Sequence, residues 1–272
     1  MKWTSILLLL IFSNSSIAEW VPFSLKNNHI QIDIEFNGIP AKAVLDSGSE
    51  VNAVSTYWVE KYGEGIRKSG EIEVIGIVGS QKRSQYSKVP VKLFGVEFVL
   101  NNMVGLYPVG GAILLGAPFF KNFITQIDYP NKRLRLLPKK SIDLKKIANV
   151  TLKLKQGSVV PAISIEVKGK RFWVVLDTGF NSGLYIERSF ALSNDWIGQQ
   201  RVQSSVITQG VNSFSSSESF IFDSIIIGPY ELEDVPVIIP SEGEATTLGR
   251  KVYETRKISR GKKPRVYWAL KS

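Results

Sequence analysis

The chain is a succession of short runs in which apolar residues alternate with polar ones or stand together, each closed by turn formers. HIQIDIEFNG, AKAVL, VPVKLFGVEFVL and RLRLL come first, and ANVTLKLK, PAISIEVKGK, RFWVVL, SFIFDSIIIG and VPVIIP follow. Runs of this length and period, bounded by Gly, Pro and Asn, are strand signals. Helical periodicity is scarce, and one short helix is predicted at 117–123. The expected class is all-β. Residues 139–147 are polar, basic and weakly periodic, and read as a linker between a first part, 19–138, and a second, 148–272.

The two parts repeat each other. At one constant offset Ile32, Ile34, Gly38, Val44, Leu45, Asp46 and Gly48 fall on Ile163, Ile165, Gly169, Val175, Leu176, Asp177 and Gly179, and Gly79 falls on Gly210. LFGVEF is answered by IIGPYEL after a small insertion. Hairpins look alike, but hairpins alone do not place Asp-[Ser/Thr]-Gly at the same point twice, so a duplication is the reading.

The first residues carry Lys2, an apolar run at 6–12, and small residues Ser16 and Ala18 before Glu19. This is the layout of a secretory signal (1–18), with cleavage expected after Ala18, and the apolar run is too short to cross a bilayer comfortably. No later segment reaches spanning length, so an exported protein, periplasmic or secreted, without a stable membrane span is expected.

Composition then removes most chemistries. Among 272 residues there is no cysteine, which excludes disulfides, a catalytic thiol and thiolate metal sites. A lone histidine, His29, with no G-x-S-x-G elbow argues against a serine hydrolase and against polyhistidine zinc sites. No metal and no cofactor are expected. The net charge of +10 includes a basic stretch at 250–265 but none of the aromatic spacing of an RNA-binding sheet. It reads as a solvated surface drawn to anionic envelopes or substrates, and no nucleic-acid partner is expected.

Carboxylate chemistry remains. Asp46 and Asp177 each end an apolar strand, where an unpaired carboxylate is unfavourable by several kcal/mol. Each is followed by a hydroxyl residue and a glycine, Ser47-Gly48 and Thr178-Gly179. The glycines allow two loops to approach face to face. Carboxyls a few ångströms apart cannot both ionise and share a proton. The ionised one then takes a proton from a water while the protonated one polarises a carbonyl. Ser47 and Thr178 are the expected locks of the loops, whereas Asp33, Asp128 and Asp223 read as solvated strand or turn positions and Trp173 as a core residue.

These motifs resemble those of the pepsin and retropepsin families of aspartic proteases, over nearly all the chain beyond residue 18. The resemblance implies two small retropepsin-like β-barrel halves related by a pseudo-twofold axis, Asp46 and Asp177 as catalytic pair, a peptide or protein substrate, and a monomer. It also implies hairpin flaps at 75–86, carrying Gly76, Gly79 and Tyr86, and at 206–214, carrying Gly210. Ile113-Leu114-Leu115-Gly116 then matches the hydrophobic pair and Gly that lie behind the catalytic loop, and FKNFITQIDYPNKRLRLLP resembles the hairpin that closes retropepsin-like bacterial proteins.

Two departures shape expectation. Phe180 stands where the first part has Ser49 and is expected to narrow the cleft beside Asp177. The second part shows no closing hydrophobic pair and Gly after 249. Codons for Val266 to Ala269, read from the third base of the valine codon, spell Ile, Leu or Val, then Leu, then Gly. That predicts a one-nucleotide frame change near Arg265 and a truncated, incomplete second part. The alternative function is accordingly an impaired peptide-binding pseudoprotease, with a basic envelope-binding β protein as a third reading.

Overall fold

The computed structural model describes residues 19–75, 80–107, 110–143, 150–154, 157–180, 182–197, 203–209, 214–240, 247–248, 258–260 and 266–269. It is mostly β, as the alternation requires. Strands between Ser24 and Leu115 form one ten-stranded sheet, and strands between Leu152 and Arg260 form a nine-stranded one. Residues 1–18, where a secretory signal is expected, lie outside the described residues.

Repeated glycines explain the repeated hairpins. His29–Phe36 turns into Ile39–Leu45 through Asn37 and Gly38, whose φ values are +49° and +79°. Pro161–Val167 turns into Lys170–Leu176 through Lys168 and Gly169 at +48° and +77°. Two central residues at positive φ give the tight turn whose twist suits antiparallel strands, and glycine enters that region without strain. The turn at Phe94 and Gly95, between Val89–Leu93 and Val96–Leu100, has the same form.

Inward positions of these strands make the core. Ile30, Ile32, Ile34 and Phe36 are buried along one strand, while Ile163, Ile165 and Val167 answer them in the second half. Phe172, Phe190, Trp196 and Phe222 stack at ring separations of 4.9–5.9 Å beneath the second sheet. A fully buried ring of this kind contributes about 1.5–3 kcal/mol. Trp173, expected in the core, faces outward instead at 39% exposure, with the Lys153 ammonium 4.0 Å from its ring centre. Asp128, read from sequence as solvated, is buried and paired with Arg133 at 3.0 Å across its hairpin.

Helix is confined to short pieces, Thr56–Tyr62, Ala117–Phe120 and Arg188–Ser193 among the described residues. The first and third lack a clear sequence signal. None of the described helices is long and apolar enough to cross a membrane.

A third sheet of four strands, in order Val21–Pro22, Arg133–Leu137, Ile124–Asp128 and Val266–Ala269, joins chain segments far apart in sequence. Val266–Ala269 pairs antiparallel with Ile124–Ile127 in unbroken register. The residues expected to result from a frame change therefore take a regular place in the fold as they stand.

Candidate active site

Each aspartate is delivered by a strand and fixed by what passes behind it. In the first half, Ile113–Leu115 runs parallel to Ala43–Leu45 and antiparallel to Ala53–Val54. Its last carbonyl, on Leu115, accepts the Asp46 N–H at 3.0 Å, and the Ala117 N–H reaches back to Ser49 O at 2.9 Å. The Gly116 N–H donates to Asn52 Oδ1 at 2.9 Å, and a Cβ at Gly116 would fall 2.1 Å from Val51 O. Only glycine lets the strand pass so close.

The second half has the same arrangement, which corrects the expectation of a missing closing element. Thr247–Leu248 runs parallel to Val175–Leu176 and antiparallel to Leu184–Tyr185. By register Thr247 stands for Leu114 and Leu248 for Leu115, and the next residue in sequence is Gly249, itself outside the described residues. The element was there, disguised by a threonine in place of an apolar residue. With it present, the second half has by register the strand that the first half places behind its aspartate.

The two loops meet. Ser47 and Thr178 clasp each other through buried hydroxyls. Thr178 Oγ1 accepts the Ser47 N–H at 3.0 Å, and Ser47 Oγ accepts the Thr178 N–H at 3.0 Å. Each hydroxyl also donates across to the other half's strand, Ser47 Oγ to Leu176 O at 2.7 Å and Thr178 Oγ1 to Leu45 O at 3.2 Å. Four reciprocal bonds therefore tie the loops together under the carboxyls. The Leu45 and Leu176 carbonyls escape sequence reasoning, since any residue type supplies a carbonyl.

Above this clasp the carboxyls are oriented by main-chain donors. Asp46 Oδ1 accepts from Gly48 N–H at 3.0 Å and Ser49 N–H at 2.9 Å, and Asp177 Oδ1 accepts from Gly179 at 2.7 Å and Phe180 at 3.1 Å. The glycines are obligatory here. A Cβ on Gly48 would lie 2.5 Å from Asp177 Cγ, and one on Gly179 2.5 Å from Asp46 Cγ. Each loop thus leaves room for the carboxyl of the other half, and the two side chains are hydrogen-bonded to one another.

Both carboxyls are pushed up. Burial is the first cause at Asp46, followed by the neighbouring Asp177 charge and the bond between them, and its pKa stands well above the ordinary carboxylate range. At Asp177 burial also raises the pKa, opposed by N–H groups of Gly179, Phe180 and Gly48 and by the bond from Asp46. Such a pair titrates as a unit and holds one proton where isolated carboxylates hold none.

A stability measurement reads this directly. In the native pair more protons are bound than in the unfolded chain between the ordinary and the raised pKa, so stability conferred by protonation fades as pH rises through that window. Asp46→Asn removes the like-charge partner. Its melting temperature minus that of the parent protein is expected to grow with pH across the window and then level off, at constant ionic strength. A difference independent of pH would sink the shared proton.

Of the other residues singled out in the sequence, Gly76, Gly79 and Gly210 lie outside the described residues. They fall between the arms of two long hairpins, Arg67–Ile75 with Ser80–Ser87 and Ser204–Gln209 with Phe214–Ile227. Tyr86 sits at the foot of the first hairpin, paired with Met103 and Lys68, and its ring lies against Gly105, so it is remote from the hairpin tip. Phe180 packs edge to face on Tyr185, with ring centres 5.7 Å apart at 85°. Among the described residues no group of three or more His, Asp and Glu side chains is placed to hold a metal ion.

No family model and no curated protein matches the chain. Among solved structures, a retropepsin-like aspartic protease from Rickettsia conorii is similar at 15% identity and a TM-score of 0.33, over 40% of this chain and 90% of that one.

Proposed function

We propose that the chain is an aspartic endopeptidase in which Asp46 and Asp177 act as one acid–base pair. The observation that carries this reading is the mutual accommodation of the two loops, each glycine making space for the opposite carboxyl above a four-bond hydroxyl clasp. Two carboxyls held in this way, both raised in pKa, are suited to acid–base catalysis that needs neither metal nor thiol. The ionised member removes a proton from a water between them, and the protonated member donates to the carbonyl oxygen of a peptide bond. The hydrated carbon collapses with proton transfer to the leaving nitrogen, and no covalent intermediate with the protein forms.

The hairpins supply the binding surface this chemistry needs. An extended peptide offers its main chain to strand edges, so a substrate lying across the aspartates and under the hairpins is gripped without regard to most side chains. Ile75 and Ile207, near the two tips, are each 78% exposed and present apolar surface for that purpose. Thr247–Leu248, in the place of the closing element, supports this reading over that of an impaired pseudoprotease. With the leader read as a signal, the protein acts outside the cytoplasm, on peptide or unfolded protein, as a monomer.

The test is cleavage of a fluorescently labelled unfolded casein at mildly acidic pH, with and without a statine-type peptide that mimics the hydrated carbonyl. Cleavage that the mimic suppresses is expected. Folded protein that leaves casein intact at every pH, or cleaves it regardless of the mimic, overturns the proposal.

A further inference from the structure

Pseudo-symmetry makes the two flanks of the aspartate pair directly comparable, and they are not alike. Ser49 and Phe180 hold the same position, each third after its aspartate and each giving its N–H to the Oδ1 of that aspartate, at 2.9 and 3.1 Å. Ala53 and Tyr185 also correspond. Ala53 pairs with Leu114, the partner of Val44, and Tyr185 pairs with Thr247, the partner of Val175. One flank thus carries a hydroxymethyl and a methyl where the other carries two six-membered rings.

Packing shows that the large pair is fixed. Phe180 is 8% exposed and Tyr185 is fully buried, with the two rings edge to face. The Tyr185 hydroxyl has no hydrogen-bond partner among the described residues, and burial raises its pKa to about 12, so it stays a neutral, space-filling group. On the Asp46 side Ser49 is only partly buried and spends its hydroxyl locally, on Val51 O at 2.8 Å.

We propose that Phe180, backed by Tyr185, is a specificity-determining residue that closes the Asp177 side of the cleft to bulky substrate side chains and leaves the Asp46 side open to them. This rests on the endopeptidase reading and adds a size rule to it. A peptide stretched over the two carboxyls places residues on either side of the cleaved bond against opposite halves. A large apolar residue is accepted on one side of that bond, and only a small residue on the other.

Digestion of a diverse peptide mixture, with cleavage sites read by mass spectrometry, tests the rule. The parent protein is expected to tolerate Phe, Leu or Tyr on one side of the cut and to favour Gly, Ala or Ser on the other. Phe180→Ser installs the first-half residue and is expected to raise cleavage of bulky-on-both-sides peptides relative to bulky–small ones by at least about tenfold, the scale of discrimination by one or two methylenes. Phe180→Leu, which keeps the space filled, is expected to restore the restriction. Equal tolerance on both sides in the parent protein overturns the proposal. So does a Phe180→Ser protein that slows on all peptides in proportion, the mark of a merely structural residue. Should Phe180→Ser fail to fold, the parent profile and Phe180→Leu decide. Absence of any mimic-sensitive cleavage refutes instead the endopeptidase reading beneath it.

Discussion

Asp46→Asn is expected to lose peptide cleavage by about a thousandfold or more while the protein becomes more stable at neutral pH. The amide oxygen of asparagine still accepts the Gly48 and Ser49 N–H groups, and its NH2 donates to Asp177, so the loop geometry survives. What disappears is the ability to exchange a proton with water and carbonyl, a contribution of about 10²–10⁴ for a positioned acid or base. The raised pKa of the pair is a penalty on the native state above the ordinary carboxylate range, and the substitution relieves it. Asp177→Asn is expected to behave alike, because the pair and not either member is the functional unit. Measured together, casein cleavage and thermal melting give opposite signs. Cleavage within about tenfold of the parent in either variant would remove the aspartates from the chemistry.

Thr178→Val is expected to cost roughly 2–5 kcal/mol of stability and most of the activity. Valine matches threonine in shape, so the packing around a residue only 3% exposed changes little. The hydroxyl, however, is both acceptor for the Ser47 N–H and donor to Leu45 O. Each buried group left unpaired costs about 1–3 kcal/mol, and a domain has only about 5–15 to lose. Ser47→Ala strips the mirror-image pair of bonds, to Leu176 O and from the Thr178 N–H. Because each hydroxyl serves the main chain of the other loop, the double variant is expected to fall short of the sum of the singles in urea denaturation. Strict additivity would mean that the two loops do not hold each other.

The repeat beneath the clasp was legible in the sequence, though the crossing of its hydroxyls to the opposite loop was not. The offset that aligns Asp46 with Asp177 is the separation of 131 between Ser47 and Thr178, which become hydrogen-bond partners, so a repeat in the text is a contact in space. Gly38 and Gly169 were legible for the same reason, as turns that only a positive φ permits. Thr247–Leu248 was not. A strand of two residues has no period of its own, and this one is held by pairing on both sides, which no local pattern announces. Trp173 escaped because its hydrophobicity said core while its position in the alternation of Lys170–Leu176 said surface, and position won. Asp128 failed in the opposite direction. Ile124–Asp128 is buried at every position, and a carboxylate is tolerable there because Arg133 and Asn131, five and three residues on, fold back to it at 3.0 and 2.8 Å.

The sheet that unites Val21–Pro22 with Val266–Ala269 imposes an order of events on the living chain. Ile124 finds its neighbour in Ala269, so a strand made early must wait, edge bare, until a segment more than a hundred residues later has been synthesised. Non-local pairings of this kind are slow to form and leave intermediates prone to stick to one another. The delay bears on the site as well: a carboxyl pair contributed by both halves does not exist until the second half has been made.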